Sequence, residues 1–214
     1  MDDRLRLTEI FYSLQGETRT VGLPTVFIRL TGCPLRCQYC DTAYAFQGGQ
    51  WHTFDDILAE VSRYPVNYVT VTGGEPLAQK ACLTLLTRLC DAGYVVSLET
   101  SGALDVSSVD PRVVKVVDVK TPGSGEVGKN VWKNFDHITP QDQLKFVICN
   151  ESDYAWAKMV MIEHELDARC EVLFSPSADE LSASLLADWI LRDQLPVRFQ
   201  IQLHKYLWGN AKGR

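Results

Sequence analysis

Three cysteines crowd into the segment Cys33-Pro34-Leu35-Arg36-Cys37-Gln38-Tyr39-Cys40, in the pattern Cys-x3-Cys-x2-Cys. Thiolates bind soft metals, and cysteine sulfur is the usual anchor of iron–sulfur clusters. A cubane cluster normally takes four cysteines, whereas this loop offers three with no fourth nearby. An iron left without a protein ligand can bind and activate a substrate, while a fully ligated cluster mostly carries electrons. Structural zinc is the competing reading. Zinc usually takes four ligands, and the nearest extra candidate, His52, lies twelve residues beyond Cys40. The other cysteines read as core or near-core: Cys82 and Cys90 in an apolar helix, Cys149 ending a strand, Cys170 beginning one. Free cysteine there acts as a small buried hydrophobe.

A second constellation is Gly73-Gly74-Glu75-Pro76, directly after the apolar run Val69 to Thr72. Glycine lets a backbone approach a ligand closely or take a positive φ. A plain strand-to-helix turn has the same composition, so this turn gains meaning from the cysteine loop before it. Trp51 and His52 read as an aromatic lid and a loop histidine without an assigned role. His137 and His164 read as ordinary surface or helix positions.

The elements that must position these residues alternate. Val26 to Leu30 reads as a strand. Thr53 to Tyr64 reads as a helix, with Phe54, Ile57, Leu58 and Val61 at helical spacing and a capping box from Thr53 and Asp56. Tyr68 to Thr72 is the next strand, followed by a helix with Cys82, Leu85, Leu86 and Leu89 on one face. Strands follow at Tyr94–Glu99, Val113–Val119 and Gln143–Cys149. The next helix carries Ala155, Met159, Ile162 and Leu166 on one stripe. Glu171 to Phe174 is a strand, Ser177 and Glu180 cap a helix bearing Leu181, Leu185 and Trp189, and Val197 to Ile201 is the last strand.

Such alternation makes βαβ units and a parallel sheet. Right-handed crossovers curl repeated units toward a barrel. The chain is shorter than the ~250 residues of a full eightfold barrel. The expected architecture is therefore α/β, an incomplete βα TIM-like barrel with a parallel sheet, in a single domain over residues 1–214. The glycine-rich and cysteine-rich loops all follow strands, so they gather at the carboxyl ends, where such folds place their chemistry.

Composition narrows the partners. Twenty-one basic against 27 acidic residues leave a net charge of -6, which argues against a dedicated nucleic-acid binder. No stretch approaches the ~18 apolar residues of a membrane span. The acidic opening and the short apolar run Ile10 to Tyr12 do not suit a signal peptide. The expectation is a cytoplasmic protein whose clustered cysteines serve metal or catalysis rather than disulfides.

The cysteine loop, with Tyr39 before its third cysteine, resembles the signature of radical S-adenosylmethionine enzymes. The rest of the chain resembles the 7-carboxy-7-deazaguanine synthase family within them. That likeness lies in Phe11–Glu17, Phe27–Pro34, Cys40–Thr42, Thr72–Pro76, Leu98–Gly102 and Gln202–Leu207. The resemblance implies a [4Fe–4S] cluster on Cys33, Cys37 and Cys40, with S-adenosylmethionine contacted by Tyr39, Cys40, Asp41, Gly73, Gly74, Glu75, Gly102 and Lys120. It implies magnesium at Thr42, and a 6-carboxytetrahydropterin contacted by Leu14, Gln15, Gly16, Glu17, Arg29 and Thr100. The implied reaction contracts the pterin to 7-carboxy-7-deazaguanine, releases ammonia and feeds queuosine and other deazapurines. No side chain is named as a catalytic acid or base. A reducing electron donor and a homodimer are implied as well.

These residue types suit those roles. The Arg29 fork can grip a carboxylate or planar heterocycle bidentately. Gln15 and Glu17 complement the amide-like edge of a pterin. Thr42 supplies the oxygen magnesium prefers. There are departures. The family's Ser-Pro-Lys is Asp118-Val119-Lys120 here, so Lys120 alone carries over. Some relatives end in a proline whose carboxylate reaches the substrate, whereas this chain runs through Trp208 to Arg214, so its terminus is assigned no role. His204 and Lys205 stand as further candidates. Two rivals remain, a glycyl-radical activase using the same cluster and a zinc-stabilised binding module.

Overall fold

A computed structural model describes residues 3–214. Parallel strands buried on both faces need near-continuous apolar runs. The sequence supplies them in β2 (Pro24–Leu30), β4 (Tyr68–Gly73), β5 (Val95–Thr100), β6 (Val114–Asp118), β7 (Gln143–Ile148) and β8 (Glu171–Pro176). These pair in chain order and in parallel, and a two-residue β9 (Arg198–Phe199) continues the series. Two strands are antiparallel additions: β1 (Arg4–Leu14) pairs with β2 on one side and with β3 (Gln50–Thr53) on the other. The nine strands run β3-β1-β2-β4-β5-β6-β7-β8-β9. Its two ends do not pair with each other, so the expected incomplete barrel is the architecture observed.

Helices cover the outside. Helix α1 (Phe54–Val61) opens with the capping box expected of Thr53 and Asp56, which satisfies backbone donors the first turn cannot pair. Helix α2 (Cys82–Asp91) buries Cys82, Leu85, Leu86 and Leu89, the face its spacing predicted. Helix α3 (Glu151–Glu163) is rotated from expectation. Tyr154, Ala157, Val160 and Met161 are buried, while Met159 is 51% and Ile162 60% exposed. The helix carries apolar residues around most of its circumference, so periodicity does not set its phase. Tyr154 sets it, donating to the Trp189 carbonyl at 2.9 Å and to Asp193 at 3.0 Å.

After the short α4 (Leu166–Arg169), helix α5 (Ala183–Asp193) starts later than expected. Ser177 and Glu180 belong to a turn, in which the Glu180 and Leu181 amides donate to the Ser177 carbonyl at 3.1 Å. Leu186, Trp189 and Ile190 face inward and Leu185 does not. The last strand is two residues rather than Val197 to Ile201, and α6 (Leu203–Trp208) follows. Cys82, Cys149 and Cys170 are buried and Cys90 half-buried, as expected of core and near-core thiols. His164 caps α3 and stacks on Trp132 at 5.6 Å.

Side chains and loops bridge the unclosed side of the sheet. The Thr18 amide donates to Gln200 at 2.8 Å and the Leu203 amide to the Gly16 carbonyl at 2.9 Å. The Arg19 amide donates to Gln143 at 2.8 Å. The loop between β1 and β2 thereby reaches the far end of the sheet. No described helix is long and apolar enough to cross a membrane.

Candidate active site

One cavity of about 660 Å³ opens at the carboxyl ends of the strands. Cys33, Cys37 and Cys40 line it as free, half-buried thiols. Burial raises the Cys33 thiol and pushes Cys37 up to about 11. The loop that carries them is held by its backbone. The Gly32 amide donates to the Ala45 carbonyl at 2.8 Å, Gln38 to Ser124 at 3.0 Å, and Arg36 to the Glu126 carboxylate at 2.6 Å.

The glycines after β4 are required by this loop. A Cβ on Gly74 would collide with the Gly32 carbonyl and sit 2.7 Å from the Cys33 Cβ, and one on Gly73 would collide with the Leu30 carbonyl. Glu75 is fully buried beneath the turn rather than on the cavity wall. Its carboxylate accepts from the Leu77 amide at 2.9 Å, the Thr100 hydroxyl at 2.9 Å and the Ser101 amide at 2.7 Å. Glu75 thus joins the carboxyl ends of β4 and β5. Thr100 lines the cavity with its proton committed to Glu75, leaving its oxygen as an acceptor. Gly102, off the wall, takes φ 73°, and its carbonyl accepts from the Val131 amide at 3.0 Å.

Leu14, Gln15, Gly16, Glu17 and Arg29 line the same cavity. Gln15 bonds Thr70 at 3.1 Å and Glu99 at 3.3 Å through its amide nitrogen, and its oxygen accepts from the Glu17 amide at 3.2 Å. Glu17 accepts from Lys145 at 2.6 Å and from Gln202 at 2.8 Å. Burial, the largest single influence, would raise the Glu17 carboxyl, but Lys145, with help from Gln202 and His204, holds it below the usual range. Gly16 is glycine because the His204 ring occupies the place a Cβ would take. Burial lowers that imidazole, so His204 meets the cavity uncharged at neutral pH.

Sequence reasoning missed the charged bridge between the two halves. Lys145 lies 3.7 Å from Asp118, and Asp118 accepts from Lys120 at 2.8 Å. Burial works against both ammonium groups, yet the neighbouring carboxylates raise them, and both stay charged. Glu99, in contrast, is raised by burial and then by Glu17. Lys120 also stands 5.8 Å from the centre of the Tyr39 ring.

At the mouth, Asp41 accepts from the Thr42 hydroxyl at 2.7 Å and pairs with Lys205 at 3.2 Å. Burial opposes ionisation of Asp41, but the Thr42 bond and Lys205 bring it down to about 2. Residues 209–214 also border the cavity, and Lys212 sits 4.5 Å above the Tyr44 ring. The segment to which the sequence assigned no role therefore forms part of the wall.

The donor set fits a cluster with an open iron. The three thiols line one cavity and none of them is in a disulfide. Among the described residues, no group of three His, Cys, Asp or Glu side chains converges to hold a single ion. Thiolates that each meet a different iron need not converge on one point. The Tyr39 hydroxyl and Asp118 Oδ1 are buried without a hydrogen-bond partner, and both residues border the cavity. Buried polar atoms are normally paired, so these two mark positions that an occupant would complete.

Comparisons agree with this geometry. Residues 27–117 match the model of the Radical SAM superfamily. The chain is 45% identical over 213 residues to the 7-carboxy-7-deazaguanine synthase of Chlorobaculum tepidum, covering 98% of this chain and 97% of that one. It is 43% identical to the enzyme of that name from Koribacter versatilis, covering 95% and 97%. The fold is similar to the crystal structure of QueE from Escherichia coli, with a TM-score of 0.78 at 23% identity over 94% of this chain and 95% of that one. By sequence likeness along nearly its whole length, the chain belongs to the 7-carboxy-7-deazaguanine synthase family.

Proposed function

We propose that this protein is a radical S-adenosylmethionine lyase that converts 6-carboxy-5,6,7,8-tetrahydropterin to 7-carboxy-7-deazaguanine with loss of ammonia, in queuosine biosynthesis. The observation that carries the reading is the convergence of two sets on one cavity, which Cys33, Cys37 and Cys40 line together with Gln15, Glu17 and Arg29. When bound, a [4Fe–4S] cluster and S-adenosylmethionine supply the one-electron chemistry that removes hydrogen from C6 of the pterin.

The residues of the chain supply the rest. Cys33, Cys37 and Cys40 would hold the cluster, and Tyr39, Cys40, Asp41, Gly73, Gly74 and Lys120, which line the same cavity, would contact S-adenosylmethionine. Glu75 and Gly102 act on that place through the loops they brace. Glu17, kept ionised chiefly by Lys145, accepts hydrogen bonds from the pterin's amino edge, and beside it Gln15 keeps one lone pair of its amide oxygen as an acceptor. Arg29 grips the carboxylate or ring edge, and Thr100 accepts a hydrogen bond. Leu14 and Gly16 complete the walls, with Gly16 giving His204 its place. Thr42, held toward Asp41, supplies the oxygen that would bind magnesium with the substrate carboxylate. The reading also includes an external one-electron reductant, a homodimer and a cytoplasmic setting.

The test is an anaerobic assay of cluster-reconstituted protein with carboxytetrahydropterin, reductant and S-adenosylmethionine, with mass analysis of products. The expected outcome is 7-carboxy-7-deazaguanine formed over many turnovers without net loss of S-adenosylmethionine. Stoichiometric consumption of S-adenosylmethionine with no change in the pterin would reject the reading.

A further inference from the structure

Glu9 lies outside every motif in the sequence, yet the fold makes a special arrangement to bring it to Arg29. In the β1–β2 ladder Leu7 stands opposite Leu30 and Glu9 opposite Arg29, so β1 carries one extra residue, Thr8, between those pairs. Side chains alternate faces along a strand, and an unbulged ladder would set Thr8 against Arg29 and turn Glu9 to the other face. The bulge therefore aligns a carboxylate with a guanidinium.

The contacts that result are specific. Arg29 Nε donates to Glu9 Oε1 at 2.8 Å, and the Tyr44 hydroxyl donates to the same oxygen at 2.7 Å. The rings of Phe11 and Tyr44 lie 5.5 and 5.9 Å from the Arg29 Cζ. Phe11 is itself stacked on Phe27 at 4.9 Å. The pair is mostly buried, with side chains 16% and 21% exposed, so water does not compete freely for it. A guanidinium has five N–H donors. Glu9 engages the inner one, and no hydrogen bond to a described residue takes the two terminal nitrogens of Arg29, which borders the cavity. An exposed ion pair of this length would contribute little. This one is buried, shared with a phenol and flanked by aromatic rings, and it fixes the direction of the free fork.

We propose that Glu9 is a positioning residue for Arg29: it holds the guanidinium by Nε so that the terminal fork meets the carboxylate or ring edge of the pterin. The proposal rests on the reading of Arg29 as a substrate contact. Tyr44 steadies the same carboxylate oxygen.

The experiment measures KM for carboxytetrahydropterin and kcat for wild type, Glu9→Ala, Glu9→Gln, Arg29→Ala and the Glu9→Ala/Arg29→Ala double variant. Cluster absorbance and thermal midpoint are recorded for each. Glu9→Ala is expected to raise KM about tenfold with kcat changed less than about threefold, since a loosened fork weakens binding before chemistry. Glu9→Gln keeps the shape but not the charge, and is expected to raise KM about threefold. The double variant should be no worse than Arg29→Ala, because Glu9 acts through Arg29. A wild-type KM in Glu9→Ala beside a raised KM in Arg29→Ala overturns the proposal, as do effects that multiply in the double variant. Should Glu9→Ala fail to fold, Glu9→Gln decides, and a wild-type KM there overturns it. A wild-type KM in Arg29→Ala would instead overturn the substrate reading on which the proposal stands.

Discussion

Removing the Cys37 sulfur takes away one of the three proposed cluster ligands without opening the core, because the thiol is half-buried in a loop braced by its backbone. Cys37→Ala should therefore fold, lose the brown absorbance of a reconstituted cluster and lose turnover, all three checked on one preparation. Thr42→Ala should keep the cluster absorbance and weaken the response of activity to magnesium, measured by titrating the metal. Tyr44 gives a pH prediction. Burial, then its bond to Glu9, pushes the phenol from an ordinary 10 up to about 12. In that window the unfolded chain loses the proton first, so the folded state holds more protons and stability falls as pH rises. Tyr44→Phe should flatten that part of the alkaline decline in denaturation midpoint. At this scale the sequence singled out residue types that suit a chemistry, the thiols, Gln15, Glu17 and Arg29, and the structure brings them to one cavity. It was silent on Lys145, which lies 128 positions from its partner Glu17. It was silent too on Glu9, whose partnership depends on an extra residue in a strand.

Between elements, the turn after β4 packs closely against the cysteine loop. The Gly74 amide donates to the Leu30 carbonyl at 3.2 Å and the Glu75 amide to Gly32 at 2.8 Å, which brings the backbones closer than a side chain allows. Gly74→Ala should lower the unfolding free energy by about 1–3 kcal/mol, the usual cost of overpacking. The same variant should take up iron poorly, since its collision partner is the chain leading into Cys33; denaturant melts and iron content check both effects. Helix α1 was legible because a cap and a single apolar face agree, and α2 from its single apolar face. The phase of α3 was not, because a tertiary hydrogen bond from Tyr154 selects it. Strands β1 and β3 escaped notice as well. Buried Leu5 and Leu7 alternate with exposed Arg4 and Arg6, a short alternation at the start of a strand whose pattern then breaks at the bulge.

As a whole, the described residues form a sheet whose nine strands stop short of a ring, and its incompleteness was legible from length alone. How the open side is bridged was not, since that depends on contacts between residues such as Thr18 and Gln200, far apart in sequence. A ladder of strands yields cooperatively, whereas a few isolated bonds can part alone. Amide exchange should therefore be faster at Thr18 and Leu203 than in β7 and β8, and hydrogen-exchange mass spectrometry would read the difference. The bridge works as a clasp on a bracelet: it can spring without the band unravelling. Because its two jaws, the 15–19 loop and the start of α6, also supply Glu17 and Gln202 to one hydrogen bond, a guest seated between them would fasten the catch.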